Sequence, residues 1–238
     1  MNKLITINLS YYNQPKDVLM RHINYWKEFP DEIKNLFTFF IIDDGSKFPA
    51  YDLLKNEDFS NIDLHLYRVK EDLCCNIAGV RNLGAQECKS PWIIILDMDT
   101  CIESNMAKSL IELARQNIDK TNAFKFNRMV PDNHKHIKHL QIHPAVCLIR
   151  KNDYWNIGGC EEDLVGHYGH TDPSFFHRAL GKLNVHIMKN IYLIYCDDGE
   201  ADINRDREHN RRLFEHKKKT NSWSTNYIRF NWEKLTLN

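Results

Sequence analysis

The 238-residue sequence has no hydrophobic run long enough to cross a membrane. Its longest apolar stretches, residues 37–42, 92–96 and 191–195, fall far short of the roughly 20 residues that a transmembrane helix needs. It also has no excess of either charge, with 32 basic and 32 acidic side chains, and so no global attraction to nucleic acid or anionic membranes. We therefore expect no transmembrane segment and no nucleic-acid partner.

The sequence also lacks the cysteine patterns of secreted proteins and of zinc ribbons. Its seven cysteines are odd in number and include no C-x-x-C pair, which argues against a disulfide framework and against a structural zinc site. The first residues contain neither an apolar signal region nor a small-residue cleavage site. A cytoplasmic protein is the expectation.

Motifs of several common enzyme classes are missing. No G-x-G-x-x-G follows an expected strand, and the sequence has neither a Walker lysine loop nor a G-x-S-x-G elbow. These absences remove the main support for a dehydrogenase, a P-loop kinase or a serine hydrolase. With only 9 glycines and 7 prolines, no flexible linker divides the chain, and we expect one domain over residues 1–238.

Apolar segments alternate with amphipathic helical segments over residues 1–120. Residues 4–9, 37–42, 62–66 and 92–96 read as strands, and apolar residues at helical spacing lie between them. This alternation predicts an α/β fold with a mostly parallel central sheet flanked by helices. Residues 121–200 are less regular and predict a small additional sheet, and residues 201–238 predict a charged helix and tail.

Acidic residues follow two of the buried strands, where open α/β sheets bind ligands. Asp44 ends the second strand, and Asp97 and Asp99 end the fourth. Since residues two apart on extended backbone project the same way, both of these last carboxylates face one side. Such a pair suits Mg²⁺ or Mn²⁺. The alternative interpretations are an Asp-Gly turn at the first position and a polar turn at the second.

A helix expected after residue 76 places Arg81 near its start. Arginine binds diphosphates well because its planar guanidinium donates two parallel hydrogen bonds. The alternative is an arginine that faces solvent. Together with the strand ends, this residue completes a candidate nucleotide site.

Six segments resemble, in order and spacing, those of family 2-like GT-A glycosyltransferases over about residues 4–180. The segments are Tyr11-Tyr12-Asn13, Ile42-Asp43-Asp44-Gly45-Ser46, Ala78-Gly79-Val80-Arg81-Asn82-Leu83-Gly84, Ile95-Leu96-Asp97-Met98-Asp99, Ile157-Gly158-Gly159-Cys160-Glu161-Glu162-Asp163 and Gly169-His170-Thr171-Asp172. The resemblance implies a GT-A fold whose first half binds a nucleotide-sugar and whose residues 121–200 supply acceptor binding and catalysis.

The resemblance implies a role for each matching residue of the donor half. Ser10 lies beside the base or ribose, Asp44 accepts a hydrogen bond from the base, and Arg81 holds the base or the diphosphate. Asp97 contacts the ribose and the metal region, with Met98 beside it in the donor site. The metal, Mn²⁺ or Mg²⁺, is bound directly by the last residue of this segment, Asp99.

The resemblance places a catalytic base at Asp172, which would deprotonate the acceptor hydroxyl in an inverting reaction. The alternative is structural, because an Asp before a Pro at a helix start is a common N-cap. Glu162 and Asp163 are rivals for the base or acceptor-binding groups, as is their neighbour Glu161. Trp155 is a candidate for stacking on an acceptor sugar and, alternatively, a core residue.

Related enzymes take a further metal ligand from a loop after the last strand, and here Asp197 is the candidate, with His209 as its rival. The histidine cluster formed by His134, His136, His139 and His143 is interpreted instead as a solvated basic loop, because no Cys or acid completes a metal shell there.

These features lead to a functional expectation with two alternatives. The expectation is a metal-dependent, inverting glycosyltransferase that uses a nucleoside-diphosphate sugar, favouring UDP, and a hydroxyl acceptor on a glycan, glycolipid or protein. One alternative is a sugar nucleotidyltransferase, although the loop after the first strand has no glycine-rich basic segment. The other is a non-catalytic nucleotide- or carbohydrate-binding module of the same fold.

Overall fold

A computed structural model describes residues 2–131, 138–197 and 203–237. The first half alternates strands and helices as its hydrophobic pattern predicts. Its elements are β1 (Ile5–Tyr11), α1 (Lys16–Lys27), α2 (Asp31–Lys34), β2 (Phe37–Asp43), α3 (Ala50–Leu54), β3 (Leu64–Val69), α4 (Ile77–Glu87), β4 (Trp92–Leu96), β5 (Thr100–Cys101) and α5 (Ser104–Gln116).

The second half contains longer strands and shorter helices. Its elements are β6 (Asn122–Pro131), β7 (Lys138–Arg150), α6 (Lys151–Asn156), a 3-10 helix (Glu162–Leu164), α7 (Thr171–Leu180), β8 (Asn184–Tyr195), α8 (Glu208–Thr220) and β9 (Trp232–Leu235). The charged C-terminal helix that the sequence predicts is therefore present as α8, and a further strand follows it.

The strands of the described residues form one sheet in the order β5-β8-β6-β7-β4-β1-β2-β3-β9. Strands β4, β1, β2 and β3 run parallel at its centre, as do β6 and β8. Strand β7 is antiparallel to both β4 and β6. The predicted α/β class with a central sheet flanked by helices is confirmed.

The second-half strands differ from the sequence expectation, which is a small additional sheet. Strand β7 pairs with β4 instead, and β6 and β8 extend the same sheet beyond it. Three of the four β7 residues that pair with β4, Cys147, Leu148 and Ile149, are apolar and buried, so this part of β7 lies inside a covered sheet.

Hydrophobic residues on the two faces of the sheet form separate clusters. One cluster contains Trp26 of α1 and Leu110 of α5, with Ile94 of β4. The other contains Val80 of α4 and Ile95 of β4, together with residues of α6 and α7. Neighbouring residues of β4 thus point to opposite faces, and helices cover both.

The chain after α8 returns to the far edge of the sheet. There, β9 pairs antiparallel with β3, and Trp232 lies opposite Val69. Within the ranges that the structure describes, no helix is both long enough and apolar enough to span a bilayer.

Candidate active site

Arg81 connects two carboxylates that the sequence places 75 positions apart. Its Nη2 donates to Asp97 Oδ1 at 2.8 Å, and its Nη1 donates to Asp172 Oδ1 at 2.6 Å. The Arg81 side chain is only 3% exposed, whereas each of the two carboxylates is about one quarter exposed. The interpretation of Arg81 as a solvent-facing residue is therefore wrong.

The close packing of α4 on β1 fixes the position of Arg81. Asn8 of β1 donates from its side-chain amide to the Arg81 carbonyl at 3.1 Å. Gly84 makes this approach possible, because a Cβ at this position would overlap the Asn8 side chain. Burial lowers the pKa of Arg81, but the charges of Asp97 and Asp172 outweigh this effect and hold it well above its ordinary value.

Asp172 lies in the first turn of α7 and is not the N-cap of that helix. The N-cap position belongs to His170, whose φ of 62° is in the left-handed region. The helix begins at Thr171, so the alternative reading of Asp172 as a cap does not hold. The carboxylate is instead directed to Arg81.

Asp99 binds two groups from strands of the second half. Its Oδ1 lies 2.9 Å from His143 Nε2 of β7, and its Oδ2 accepts a hydrogen bond from Arg128 Nη1 of β6. Burial raises the pKa of Asp99, but its hydrogen bonds with His143 and with the Arg128 guanidinium outweigh burial, and the pKa is lowered. Asp99 is therefore an ionised carboxylate at neutral pH.

One oxygen each of Asp97 and Asp99 and a ring nitrogen of His143 lie within 4.8 Å of one another. Two carboxylates and an imidazole are a donor set that Mn²⁺ accepts, and Mg²⁺ accepts the carboxylates. The amides of Ala145 and Val146 donate to His143 Nδ1 at 3.1 and 3.0 Å, so the ring proton is on Nε2, which donates to Asp99 in this structure. The two carboxylates therefore fit a divalent ion, and His143 orients Asp99 within the group.

The position of His143 corrects the interpretation of the histidine cluster. This side chain is 1% exposed and contacts Asp99, so it does not belong to a solvated loop. The acid that no segment around the cluster supplies is Asp99, which lies 44 residues away along the chain. His134 and His136 lie outside the described residues, and the His139 side chain is not described either.

The other candidate ligands are not in this group, although the amide of Cys196, next to Asp197, donates to the Asp99 carbonyl at 2.8 Å. Asp197 is not part of the group of Asp97, Asp99 and His143. Its carbonyl accepts a hydrogen bond from Arg21 at 2.9 Å. His209 stacks on His167, with ring centres 3.7 Å apart. The role of Asp197 as a metal ligand stays a prediction.

Four buried polar atoms near the ends of β1 and β2 have no hydrogen-bond partner among the described residues. They are Ser10 Oγ, Asp44 Oδ1 and the two polar atoms of the Asn76 side chain. The other carboxylate oxygen of Asp44 accepts a hydrogen bond from the backbone amide of Asn76 at 3.0 Å. Burial raises the pKa of Asp44 to about 7. Unpartnered buried polar groups are costly unless a ligand satisfies them.

Met98 lies between the two acids and is buried. Its carbonyl lies 3.0 Å from Nε2 of His22 in α1. Burial lowers the pKa of His22 to about 4, so the ring is neutral and donates from Nε2 to this carbonyl. This hydrogen bond attaches the backbone between Asp97 and Asp99 to α1.

Glu162 and Asp163 contact the C-terminal segment, which consists of α8 and the residues that follow it. Glu162 Oε1 accepts from the Asn82 side chain and from the Ile228 amide, both at 2.7 Å. Asp163 pairs with Lys217 at 2.6 Å and with Arg229 at 2.8 Å. Their role in acceptor binding stays a prediction, because these contacts give both acids a structural role.

Trp155 packs against Tyr227 and lines a cavity of about 400 Å³ with Gln86 and Lys151. Lys151 donates to carbonyls at the C-terminal end of α4. Trp155 is half-buried and also packs against the core cluster that contains Val80 of α4. Its role in acceptor binding stays a prediction.

Comparison with known proteins gives the family. The model of the family described as glycosyl transferase family 2 matches residues 9–186, about three quarters of the chain. The chain belongs to glycosyl transferase family 2. The resemblance that the six sequence segments indicate is thereby confirmed. No curated protein sequence matches the chain.

Solved structures show where else this family 2 fold occurs. TarS 1-349 of S. aureus in complex with UDP-GlcNAc is 13% identical, with a TM-score of 0.67 over 94% of this chain and 68% of that one. The TarS 1-349 structure without a named ligand is 14% identical, with a TM-score of 0.61 over 81% of this chain and 60% of that one. GalNAc-T7 with UDP, GalNAc and Mn²⁺ is 13% identical, with a TM-score of 0.63 over 83% and 44%.

These likenesses confirm the GT-A fold of the family 2 chain. The chain spans 60% of the TarS structure without a named ligand and 44% of GalNAc-T7, so each of those proteins has further residues. Two residues of the site were not foreseen from the sequence, Arg128 and His143. Arg128 lies on β6 and His143 on β7, and these strands come together by pairing in the sheet. Neither residue belongs to a recognisable sequence motif.

Proposed function

We propose that this family 2 chain is a metal-dependent, inverting glycosyltransferase that moves a sugar from a UDP-sugar to a hydroxyl acceptor. The contact of Arg81 with both Asp97 and Asp172 carries this proposal. It brings the predicted donor-binding acid and the predicted catalytic base to one guanidinium. A site for sugar transfer needs this proximity, because the donor and the acceptor hydroxyl must meet.

The unpartnered buried atoms support a nucleotide at the end of β1 and β2. Asp44 Oδ1 offers an acceptor for an N–H of a base, and Ser10 Oγ offers a hydroxyl to the base or ribose. Uracil has such an N–H, which favours UDP. TarS 1-349 and GalNAc-T7, whose structures contain UDP or UDP-GlcNAc, have the same fold.

In the proposed mechanism, Asp172 accepts the proton of the acceptor hydroxyl as its oxygen attacks the anomeric carbon of the sugar. The bond from that carbon to the diphosphate breaks at the same time, on the opposite face. Arg81 orients Asp172 by its hydrogen bond. Asp97 and Asp99, the second oriented by His143, would hold a divalent ion, which would supply positive charge that offsets the charge on the departing diphosphate.

The acceptor class is a hydroxyl of a glycan, glycolipid or protein, and polysaccharide biosynthesis is the process that we infer. A cytoplasmic location belongs to the same proposal. Asp163, Glu162 and Trp155 are candidates for acceptor contact, although the first two also anchor the C-terminal segment.

Calorimetric titration with UDP and with GDP, each with Mn²⁺ and with a chelator, tests the donor half of the proposal. We expect UDP to bind more tightly with Mn²⁺ than without, and Asp99→Ala to weaken that binding by about tenfold or more, because a metal ligand is lost. Asp52→Asn is the control, since Asp52 pairs with Lys55 on the surface. Failure of both nucleotides to bind wild-type protein under every condition would overturn the donor site.

A further inference from the structure

Both carboxylate oxygens of Asp99 are engaged in the described structure. His143 contacts Oδ1 at 2.9 Å, and Arg128 Nη1 donates to Oδ2. The guanidinium of Arg128 therefore lies at the carboxylate that the proposed function assigns to a divalent ion. A divalent ion at Asp99 therefore has the positive charge of Arg128 beside it, and the two charges repel each other.

Arg128 is bound less completely than Arg81. Its guanidinium has one carboxylate partner, whereas Arg81 has two. Its Nε, like that of Arg81, is buried and has no hydrogen-bond partner among the described residues. The guanidinium carbon lies 5.9 Å from the ring centre of Tyr195, on the neighbouring strand β8. This residue has an unused donor and is 15% exposed.

We propose that Arg128 is a further donor-binding residue, which neutralises Asp99 in the free protein and binds the diphosphate of the donor once a divalent ion takes its place. This inference rests on the proposed function and deepens it. It gives β6, which carries no predicted donor residue, a direct part in the site.

The charges of the site support this exchange. Three carboxylates, those of Asp97, Asp99 and Asp172, face the two guanidinium groups of Arg81 and Arg128. With His143 counted as neutral, the cluster has one excess negative charge and would repel a diphosphate. A divalent ion reverses the sign of this charge, and the displaced guanidinium then has the incoming diphosphate as its nearest anion.

Arg128→Met tests the exchange because it removes a competitor of the metal and a partner of the diphosphate together. Without nucleotide, we expect the variant to bind Mn²⁺ about tenfold more tightly than wild type, as measured by electron paramagnetic resonance of free Mn²⁺. With saturating Mn²⁺, we expect about tenfold weaker UDP binding by calorimetry and unchanged binding of uridine, which has no phosphates.

The opposite signs of the two effects separate this role from a structural one. A variant that is merely misfolded loses affinity for Mn²⁺ and for UDP together, which would overturn the proposal, as would no change in either. Tighter Mn²⁺ binding with unchanged UDP binding would overturn the diphosphate contact. Arg128→Lys keeps the charge in case the Met variant does not fold, and we expect UDP affinity between those of wild type and Arg128→Met.

The control variant is Arg212→Met, which removes an exposed arginine of α8 that pairs with Glu208. We expect it to bind Mn²⁺ and UDP as wild type does. If wild-type protein binds Mn²⁺ but no UDP, the proposed function fails. The Mn²⁺ titration of Arg128→Met needs no nucleotide, and equal Mn²⁺ affinities there would overturn the displacement by itself.

Discussion

At the scale of single residues, the site depends on buried charges that are paired. Arg81 is almost fully buried and would be costly to keep ionised without its two carboxylates. The pairing also constrains the acids, because one rigid guanidinium fixes the separation of Asp97 and Asp172. A lysine at this position has a single ammonium and does not reproduce this geometry.

Asp44 gives a residue-scale prediction about pH. Its pKa is raised from 3.8 to about 7 by burial, so the folded protein binds this proton more tightly than the unfolded chain does. The contribution of Asp44 to the free energy of unfolding therefore falls as pH rises from about 4 to about 8, by about 4 kcal/mol at most. Asp44→Asn has no such proton and removes this dependence.

Urea unfolding of both proteins at several pH values measures the effect. We expect wild type to lose stability relative to Asp44→Asn as the pH rises, because other titrating groups are common to both and cancel. A difference between the two proteins that stays constant from about pH 4 to about pH 8 contradicts the raised pKa.

Some residues of the site can be predicted from the sequence, and others cannot. Asp97 and Asp99 end an apolar strand within a recognisable segment, so local pattern is enough to find them. Arg128 and His143 reach Asp99 from strands 29 and 44 residues further along the chain. Their proximity follows from how β6 and β7 join the sheet, and single-sequence patterns do not contain that pairing.

At the scale of elements, the packing of α4 on β1 connects the fold to the site. Gly84 has no Cβ, and this lets the helix lie against Asn8, whose side chain binds the Arg81 carbonyl. The helix then presents Arg81 to the end of β4. The separation of these two elements therefore sets the position of the guanidinium.

Gly84→Ala tests this coupling. The added methyl group overlaps Asn8, so α4 must move away from β1, and we expect stability to fall by about 1–3 kcal/mol. We also expect weaker UDP binding, because Arg81 moves with the helix. Chemical denaturation and calorimetry measure the two effects.

Gly181→Ala is the matched control for this variant. A Cβ at Gly181 meets only the Arg178 carbonyl at 3.7 Å, which is an ordinary contact. We expect its stability and UDP affinity to match those of wild type. Equal behaviour of the two alanine variants would show that the approach of α4 to β1 does not control the site.

The elements that periodicity predicts well are those with buried faces. Strands β1 and β2 are buried throughout because helices cover both sides, and α1 has its apolar residues at helical spacing. Strand β9 was not predicted, because its four residues are half-buried or exposed and have no apolar alternation. Its pairing with β3 depends on the path of the chain after α8.

At the scale of the whole molecule, the C-terminal segment is attached to the rest of the structure at two places. The amides of Ser224, Ile228 and Arg229 donate to the buried carboxylates of Glu161 and Glu162. The next residues form β9 on the edge of the sheet. The segment is therefore anchored at both ends, and its ring of Phe230 lies against Gly79 of α4.

Glu162→Gln tests this anchoring. In the variant, an NH₂ group replaces one of the two carboxylate oxygens of Glu162 and faces an N–H donor. A hydrogen bond to a carboxylate is therefore lost. We expect a loss of about 2 kcal/mol in the free energy of unfolding and faster hydrogen exchange of the β9 amides. Glu57→Gln, which removes an exposed partner of Lys16, serves as the control and should leave the exchange of β9 unchanged.

The central claim is that Asp172 acts as the base in transfer from a UDP-sugar. The most direct test measures UDP released from a panel of UDP-sugars with Mn²⁺, by wild type and by Asp172→Asn, with UDP affinity measured in parallel. We expect turnover of at least one UDP-sugar by wild type, and an Asp172→Asn variant that keeps its UDP affinity while turnover falls by about 10²–10⁴-fold. Equal turnover by both proteins, or UDP binding without turnover of any donor by wild type, would contradict it.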